Sequence, residues 1–288
     1  MPLFFNAGVN MAEEISRWLK FKRFLKRNLT PTWAKHFSYQ VFAFLVSVAM
    51  VIGVATYAVN KSYDERTLRL RDDFTITAKA GAFGQNELSV EWVKACVNNN
   101  VNVIEVAVRQ RPDNTLVMSN DMIVTNNDGI PLSEVFEMIK PTEIVLNLNI
   151  KEMRTLNQLH DMLVEYGLLN RAFLTGIQSM HISAVKDSTC ANMPYYLDYQ
   201  PSRIKIFDDD YGNDLIEKIK DAGAIGINCN FNSAGGKLSE VLHHNGYKLS
   251  VDGVNSEYPM KRILMSKPDN ITTKSYDDVL FKINNWGK

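Results

Sequence analysis

The run NVIEVAV at residues 102–108, a helical pattern over 131–139 and the run EIVLNLNI at 143–150 form one strand–helix–strand unit, and that unit decides the fold. The alternation continues on both sides of it. Strand patterns fall at 74–78, 171–177, 193–199, 204–206, 224–230, 248–254 and 269–273. Helical patterns fall between them at 88–98, 154–166, 179–187, 213–222, 237–245 and 257–265, and a last helix spans 277–285. Gly167, Gly223 and Gly246 each stand just past an apolar-periodic segment, where a left-handed residue ends a helix. Short β-rich runs alternating with helices indicate βα units and a parallel sheet. About eight such repeats predict a (β/α)8 TIM-type barrel over 73–288. A doubly wound open sheet is the alternative. No GxGxxG follows the first strand, which argues against a dinucleotide site.

The segment before the barrel has a different character. Residues 38–59, SYQVFAFLVSVAMVIGVATYAV, carry no charge. At 1.5 Å per residue they span about 33 Å, close to the hydrocarbon thickness of a bilayer. Seven cations (Arg17, Lys20, Lys22, Arg23, Lys26, Arg27 and Lys35) precede this run, with only Glu13 and Glu14 opposing them. The positive-inside bias predicts a single-pass anchor in a cell membrane, its N-terminus cytoplasmic and the barrel outside. The expected order is a basic arm at 1–37, a transmembrane helix at 38–59, a linker at 60–72 and the barrel. A cleaved signal peptide and a buried core helix are the competing readings of 38–59. Within the arm, residues 12–28 mix cations with Ile15, Trp18, Leu19, Phe21, Phe24 and Leu25. They read either as a surface-lying amphipathic helix or as a solvated tether.

The chain has no net charge. Because its arm is basic, the remainder is acidic, a poor match for nucleic acid. The three cysteines, Cys96, Cys190 and Cys229, lack metal or redox spacing and read as buried residues. Asp208, Asp209 and Asp210 lack the spacing of a calcium loop and read as a solvated loop. Tyr195, Tyr196 and Tyr199 alternate across a strand, so one face offers an aromatic platform at the mouth, with core packing as the competing reading.

Several segments, in order, resemble the glycerophosphodiester phosphodiesterase family. ITAKAG (76–81) stands where that family has a strand ending in His-Arg-Gly, and QNEL (85–88), opening the next helix, stands for its Pro-Glu-Asn-Thr. NVIEVAVRQRPDNTLVMSND (102–121) is similar to its Glu-x-Asp strand, polar turn and second strand ending in His-Asp. LNLNIK (146–151), LSVDGVN (249–255) and KPDNITTKSYDDV (267–279) are similar to its third, seventh and closing strands. The resemblance implies a barrel in which two histidines act as acid and base on a phosphodiester and carboxylates hold a divalent metal.

Residue by residue, the chemistry is missing. Lys79 and Asn120 occupy the two histidine positions, and Ala80 follows the first. Asn86, Ala107 and Asn149 replace carboxylates, and Asp252 replaces a tryptophan. Glu105, Asp121 and Lys151 are kept. Of the five histidines, His36 precedes the membrane segment, and His160, His181, His243 and His244 fall in helical patterns. A general acid or base supplies about 10²–10⁴-fold each, so losing both leaves a pseudoenzyme. No catalytic residue, metal ligand or cofactor is therefore assigned. The expected ligand-binding mouth holds Lys79, Glu105, Asn120, Asp121, Asn147, Asn149, Lys151 and Asp252, with Glu105 paired to Lys79 or Lys151. It suits a phosphorylated or polyol ligand, and an envelope protein is the other partner considered beside the bilayer. The alternative is an active, metal-dependent phosphoric diester hydrolase. There Glu87, Glu105 and Asp121 rebuild a Mg²⁺ or Ca²⁺ site and Lys79 serves as a base.

Overall fold

The structure, a computed structural model, describes residues 18–20, 22–23 and 31–287. It divides into two compact units, Met1–Lys61 and Ser62–Lys288. Helix α1 (Pro31–Asp64) contains the uncharged segment. Within Lys35–Asp64 an 18-residue window has a mean hydropathy of 2.3, and the stretch is long and apolar enough to cross a membrane. The first residues of the expected linker are therefore helical. Most of the arm's amphipathic stretch lies outside the described residues. Trp18–Lys20 and Lys22–Arg23 are helical, and the Lys22 ammonium stands 4.7 Å from the centre of the Trp18 ring.

The second unit is a closed barrel. Its eight parallel strands are β1 (Thr75–Ala78), β2 (Val103–Gln110), β5 (Val145–Ile150), β6 (Ala172–Ile177), β7 (Tyr195–Asp198), β8 (Gly226–Asn230), β9 (Lys248–Asp252) and β10 (Asn270–Thr273). β1 pairs with β10 on one side and with β2 on the other, which closes the sheet and removes the open-sheet alternative. A small antiparallel excursion, β3 (Leu116–Met118) and β4 (Ile130–Pro131), rides on the end of β2. Helices α2 (Val90–Asn98), α3 (Leu132–Ile139), α4 (Leu156–Glu165), α5 (Ile182–Lys186), α6 (Asp209–Ala222), α7 (Gly236–His244), α8 (Glu257–Met265) and α9 (Tyr276–Asn284) surround it.

Strand alternation explains how the core divides. Ile104, Val106, Leu146, Leu148, Leu174, Ile227, Val251 and Ile271 face the helices and form the apolar layer. Their neighbours face inward, and many are polar. Thr77, Asn147, Thr175, Ser250, Asn270 and Thr272 are all buried. A buried polar group without a partner is costly, and these satisfy one another. Thr75 and Thr77 donate to Asn270 Oδ1 at 2.9 and 2.8 Å. The Asn270 amide donates to Ser250 at 3.0 Å and to Thr272 at 3.2 Å. Thr175 donates to Asn147 at 2.6 Å.

Two local expectations fail. Residues 204–206 are not a strand: Lys205–Phe207 form a 3₁₀ turn after β7. A three-residue apolar run is too short for its period to separate strand from turn. Asp208–Asp210 are not a loop either, since Asp208 caps α6 by accepting the Asp210 N–H at 3.0 Å. Asp209 and Asp210 lie in the first turn, where the positive end of the helix dipole favours them. The left-handed glycines are found as expected, with φ of 70°, 77° and 78° at Gly167, Gly223 and Gly246.

The segment leading into β1 is fastened to the barrel. Asp64 pairs with Lys261 on α8 at 2.6 Å, and Trp286 donates its indole N–H to the Arg66 carbonyl at 2.8 Å. Arg71 reaches the buried carboxylate of Asp269 at 3.0 Å, at the opposite end of the barrel from the strand C-termini. Leu68 and Leu70 pack against the core.

Candidate functional site: the barrel mouth

At the C-terminal ends of the strands, inward positions carry charge in place of the hydroxyls and amides below them. Lys79 follows β1 and Asp252 ends β9. The Lys79 ammonium donates to both carboxylate oxygens of Asp252, at 2.7 and 2.8 Å. Burial alone would lower the Lys79 pKa, but Glu105, Asp252 and this hydrogen bond together raise it, so the ammonium is firmly held. Lys79 therefore pairs with Asp252 and not with Glu105. The two strands are separated only by β10, and the lysine stem crosses that gap.

Glu105, inward on β2, is 7% exposed. Among the described residues its carboxylate forms neither a hydrogen bond nor a close ion pair. Burial pushes its pKa up, against the pull of Lys79 and Lys151, with Asp252 and Asp198 adding to the rise. Lys151 stands exposed just beyond β5. Its pKa is lowered, first by desolvation and then by Lys79 and Arg109, with Glu105 opposing them.

The structure thus gathers Lys79, Glu105, Lys151 and Asp252 into one electrostatic group. Asn147 lies one layer below, bonded to Thr175. Asn149 packs against Gly176, where an added Cβ would come within 2.8 Å of its Oδ1. Asn120 and Asp121 are exposed on the segment after β3. Arg109 holds that segment by donating to the Asn120 carbonyl at 3.1 and 3.3 Å, while Glu152 accepts from Arg109 at 3.3 Å. The Asn120 and Asp121 side chains do not join the charged group.

Sequence reasoning missed Asp198. It ends β7 facing inward, accepts from Asn228 at 3.0 Å, and has its pKa raised by burial against that bond and the Gly176 N–H. The alternation of YYLD in β7 with INCN in β8 was the available signal. His181 is nearer the mouth than its helical pattern suggested. It sits in the turn after β6, with its Nδ1 accepting from the Gln178 N–H at 3.2 Å. The tyrosine platform is absent. Tyr195 points outward and donates to the Ala222 carbonyl, Tyr196 packs edge-on against Phe173, and Tyr199 lies 5.3 Å beneath Lys218 of α6.

The available carboxylates do not suit a divalent cation, which takes several converging hard oxygens. Asp252 is held by Lys79 and Glu87 by Lys274, Asp121 faces solvent, Asp198 accepts from Asn228, and Glu105 feels the charges of Lys79 and Lys151. Among the described residues no three acid, histidine or cysteine side chains converge in a metal-holding group.

The same eight-strand barrel occurs in known proteins. A phosphodiesterase of Oleispira antarctica, solved with its product sn-glycerol-3-phosphate, superposes with a TM-score of 0.58 at 14% identity, over 73% of this chain and 97% of that one. This is the fold of the glycerophosphodiester phosphodiesterases. A candidate glycerophosphodiester phosphodiesterase of Galdieria sulphuraria gives 0.60 at 17% identity, over 74% and 98% of the two chains. The glycerophosphodiester phosphodiesterase of Thermotoga maritima gives 0.56 at 14%, over 72% and 98%. At these identities the likeness is one of fold. No family model matches the sequence, and no curated protein does.

Proposed function

We propose that this glycerophosphodiester-phosphodiesterase-like barrel has lost hydrolysis and binds a phosphorylated or polyol ligand at its mouth. The observation that carries this reading is the Lys79–Asp252 pair. An ammonium locked onto a carboxylate stands where the resemblance expects a catalytic histidine. A lysine so held is a charge donor and not a proton shuttle, because a base must release its proton near neutral pH. Lys79 and the exposed Lys151 offer cations to an anionic group, and Glu105 and Asp198 offer acceptors to hydroxyls. The glycerol 3-phosphate held by the Oleispira relative has both kinds of group.

The reading includes a membrane tether. The apolar stretch of α1 is long enough to span a bilayer, and the cations before it favour a cytoplasmic N-terminus with the barrel outside.

The test uses the full chain in lipid nanodiscs. Calorimetry with glycerol 3-phosphate should show saturable binding, weakened about tenfold in Lys79→Met, which is the loss of one good charged contact. Glycerophosphodiesters with Mg²⁺, Ca²⁺, Mn²⁺ or EDTA should remain intact. Metal-dependent turnover that disappears in Glu105→Gln would instead establish an active hydrolase with a rebuilt metal site.

A further inference from the structure

The second unit exposes nine large apolar side chains, and the most exposed five are not scattered over it. Met122, Val124, Met180, Ile204 and Phe207 are 79%, 74%, 77%, 84% and 72% exposed. The other four, Val164, Tyr258, Leu280 and Phe281, range from 42% to 67% and lie on the surrounding helices. All five of the first group stand on connections that leave C-terminal strand ends. Met122 and Val124 follow β3 beyond the end of β2, Met180 follows β6, and Ile204 and Phe207 follow β7. Strands β2, β5, β6 and β7 are consecutive neighbours in the barrel, so these loops share one half of the rim. Met153, in the turn after β5, supplies a half-buried apolar residue between them. Lys79 and Asp252 occupy the other half, on the β1 and β9 side.

Single exposed apolar residues need no explanation, but a grouped set of this kind marks a contact surface. Here the set borders the charged group at the strand ends, so its occupant presents hydrocarbon and polar groups side by side. We infer that the mouth takes an amphiphile whose phosphorylated or polyol head meets the charged group while an aliphatic chain lies along the apolar arc. This rests on the binding reading above and narrows its ligand class from a water-soluble head group to a lipid-like ester. Glu105 adds to the case as a carboxylate, more than nine-tenths buried, that has no hydrogen-bonding partner among the described residues and faces inward at the mouth. A head-group hydroxyl is the kind of donor it lacks.

The experiment is a chain-length series. Acyl glycerol 3-phosphates of two to eight carbons, below their micelle concentrations, are titrated into the full chain in nanodiscs, and uptake by empty nanodiscs is subtracted. Full burial of a methylene strengthens binding about fourfold, and an open rim that covers one side of the chain should give about twofold per methylene. In the double variant Met180→Ser, Phe207→Ser the dependence should flatten while glycerol 3-phosphate binds as before. Both positions are largely exposed, so the fold is not at risk. A parent series with no chain-length dependence, but with intact head-group binding, overturns the amphiphile and leaves the binding reading in place. Binding by no member of the series, glycerol 3-phosphate included, removes both.

Discussion

Asp269 is the side chain on which the end of the barrel opposite the mouth depends, and removing it should have a measurable effect. Its carboxylate is 2% exposed. One oxygen accepts the Leu249 N–H at 2.7 Å and meets His243 Nε2 at 2.8 Å, while the other faces Arg71 at 3.0 Å. One residue thus ties β9, α7 and the segment preceding β1 to the start of β10. Asp269→Ala leaves the Leu249 N–H buried and unpaired, a loss of about 1–3 kcal/mol. Breaking a buried charged contact by removing one partner costs about 3–5 kcal/mol when neither group can reach water. Arg71 is 45% exposed and regains solvent, so its share is small. The expected loss is about 3 kcal/mol, which for a unit of this size lowers the Tm by about 6–12 °C. Asp269→Asn keeps the acceptor for Leu249 and should lose about 1 kcal/mol. Thermal unfolding of the full chain, followed by near-ultraviolet circular dichroism, separates the two variants. A shift below about 3 °C in Asp269→Ala would refute the reasoning, and equal shifts would assign the effect to the charge and not to the backbone contact.

Two further outcomes are expected. Burial raises the Glu105 pKa above its ordinary 4.5, so the folded chain holds that proton more tightly than the unfolded one, and the carboxylate destabilises the fold as pH rises. Glu105→Gln should therefore be more stable than the parent at pH 7, with the gain narrowing on acidification and gone below about pH 4.5. Denaturant midpoints that differ by the same amount from pH 4 to 8 would contradict this. Gly226→Ala should fail to accumulate as folded protein, because a Cβ there overlaps the Lys248 carbonyl on the paired strand and neither backbone can yield. A variant of near-parental Tm would show that β8 and β9 have room to separate.

How legible all this was depended on how local the cause is. The strands were readable because IEVAV and LNLNI carry their own pattern, with aliphatic residues toward the helices and small or polar ones toward the axis. The start of α2 was misplaced. The helical pattern starts at Leu88, whereas Leu88 has φ of 51° and Ser89 caps the helix by accepting from the Trp92 N–H at 3.1 Å. Lys79, Glu105, Lys151 and Asp252 lie near one another because strand ends in a barrel converge. Which carboxylate Lys79 would take was not readable, since Asp252 lies 173 residues away and Glu105 is equally an inward acid. The Asp269 cluster went unread for the same reason. It joins Arg71, His243 and Leu249 from three separate segments, and no periodicity links them.

The closed barrel bears on the kind of partner the chain can accept. Strand addition needs an edge with unpaired N–H and C=O groups, and closure leaves the eight parallel strands with none. The one edge in the described sheet is β4, two residues long and ending in Pro131, which has no N–H to give. The protein is therefore poorly suited to templating another chain's strand or stacking with copies of itself by backbone pairing. Among the described residues, the surface that the barrel offers a partner is made of loop and helix side chains and not of strand edges.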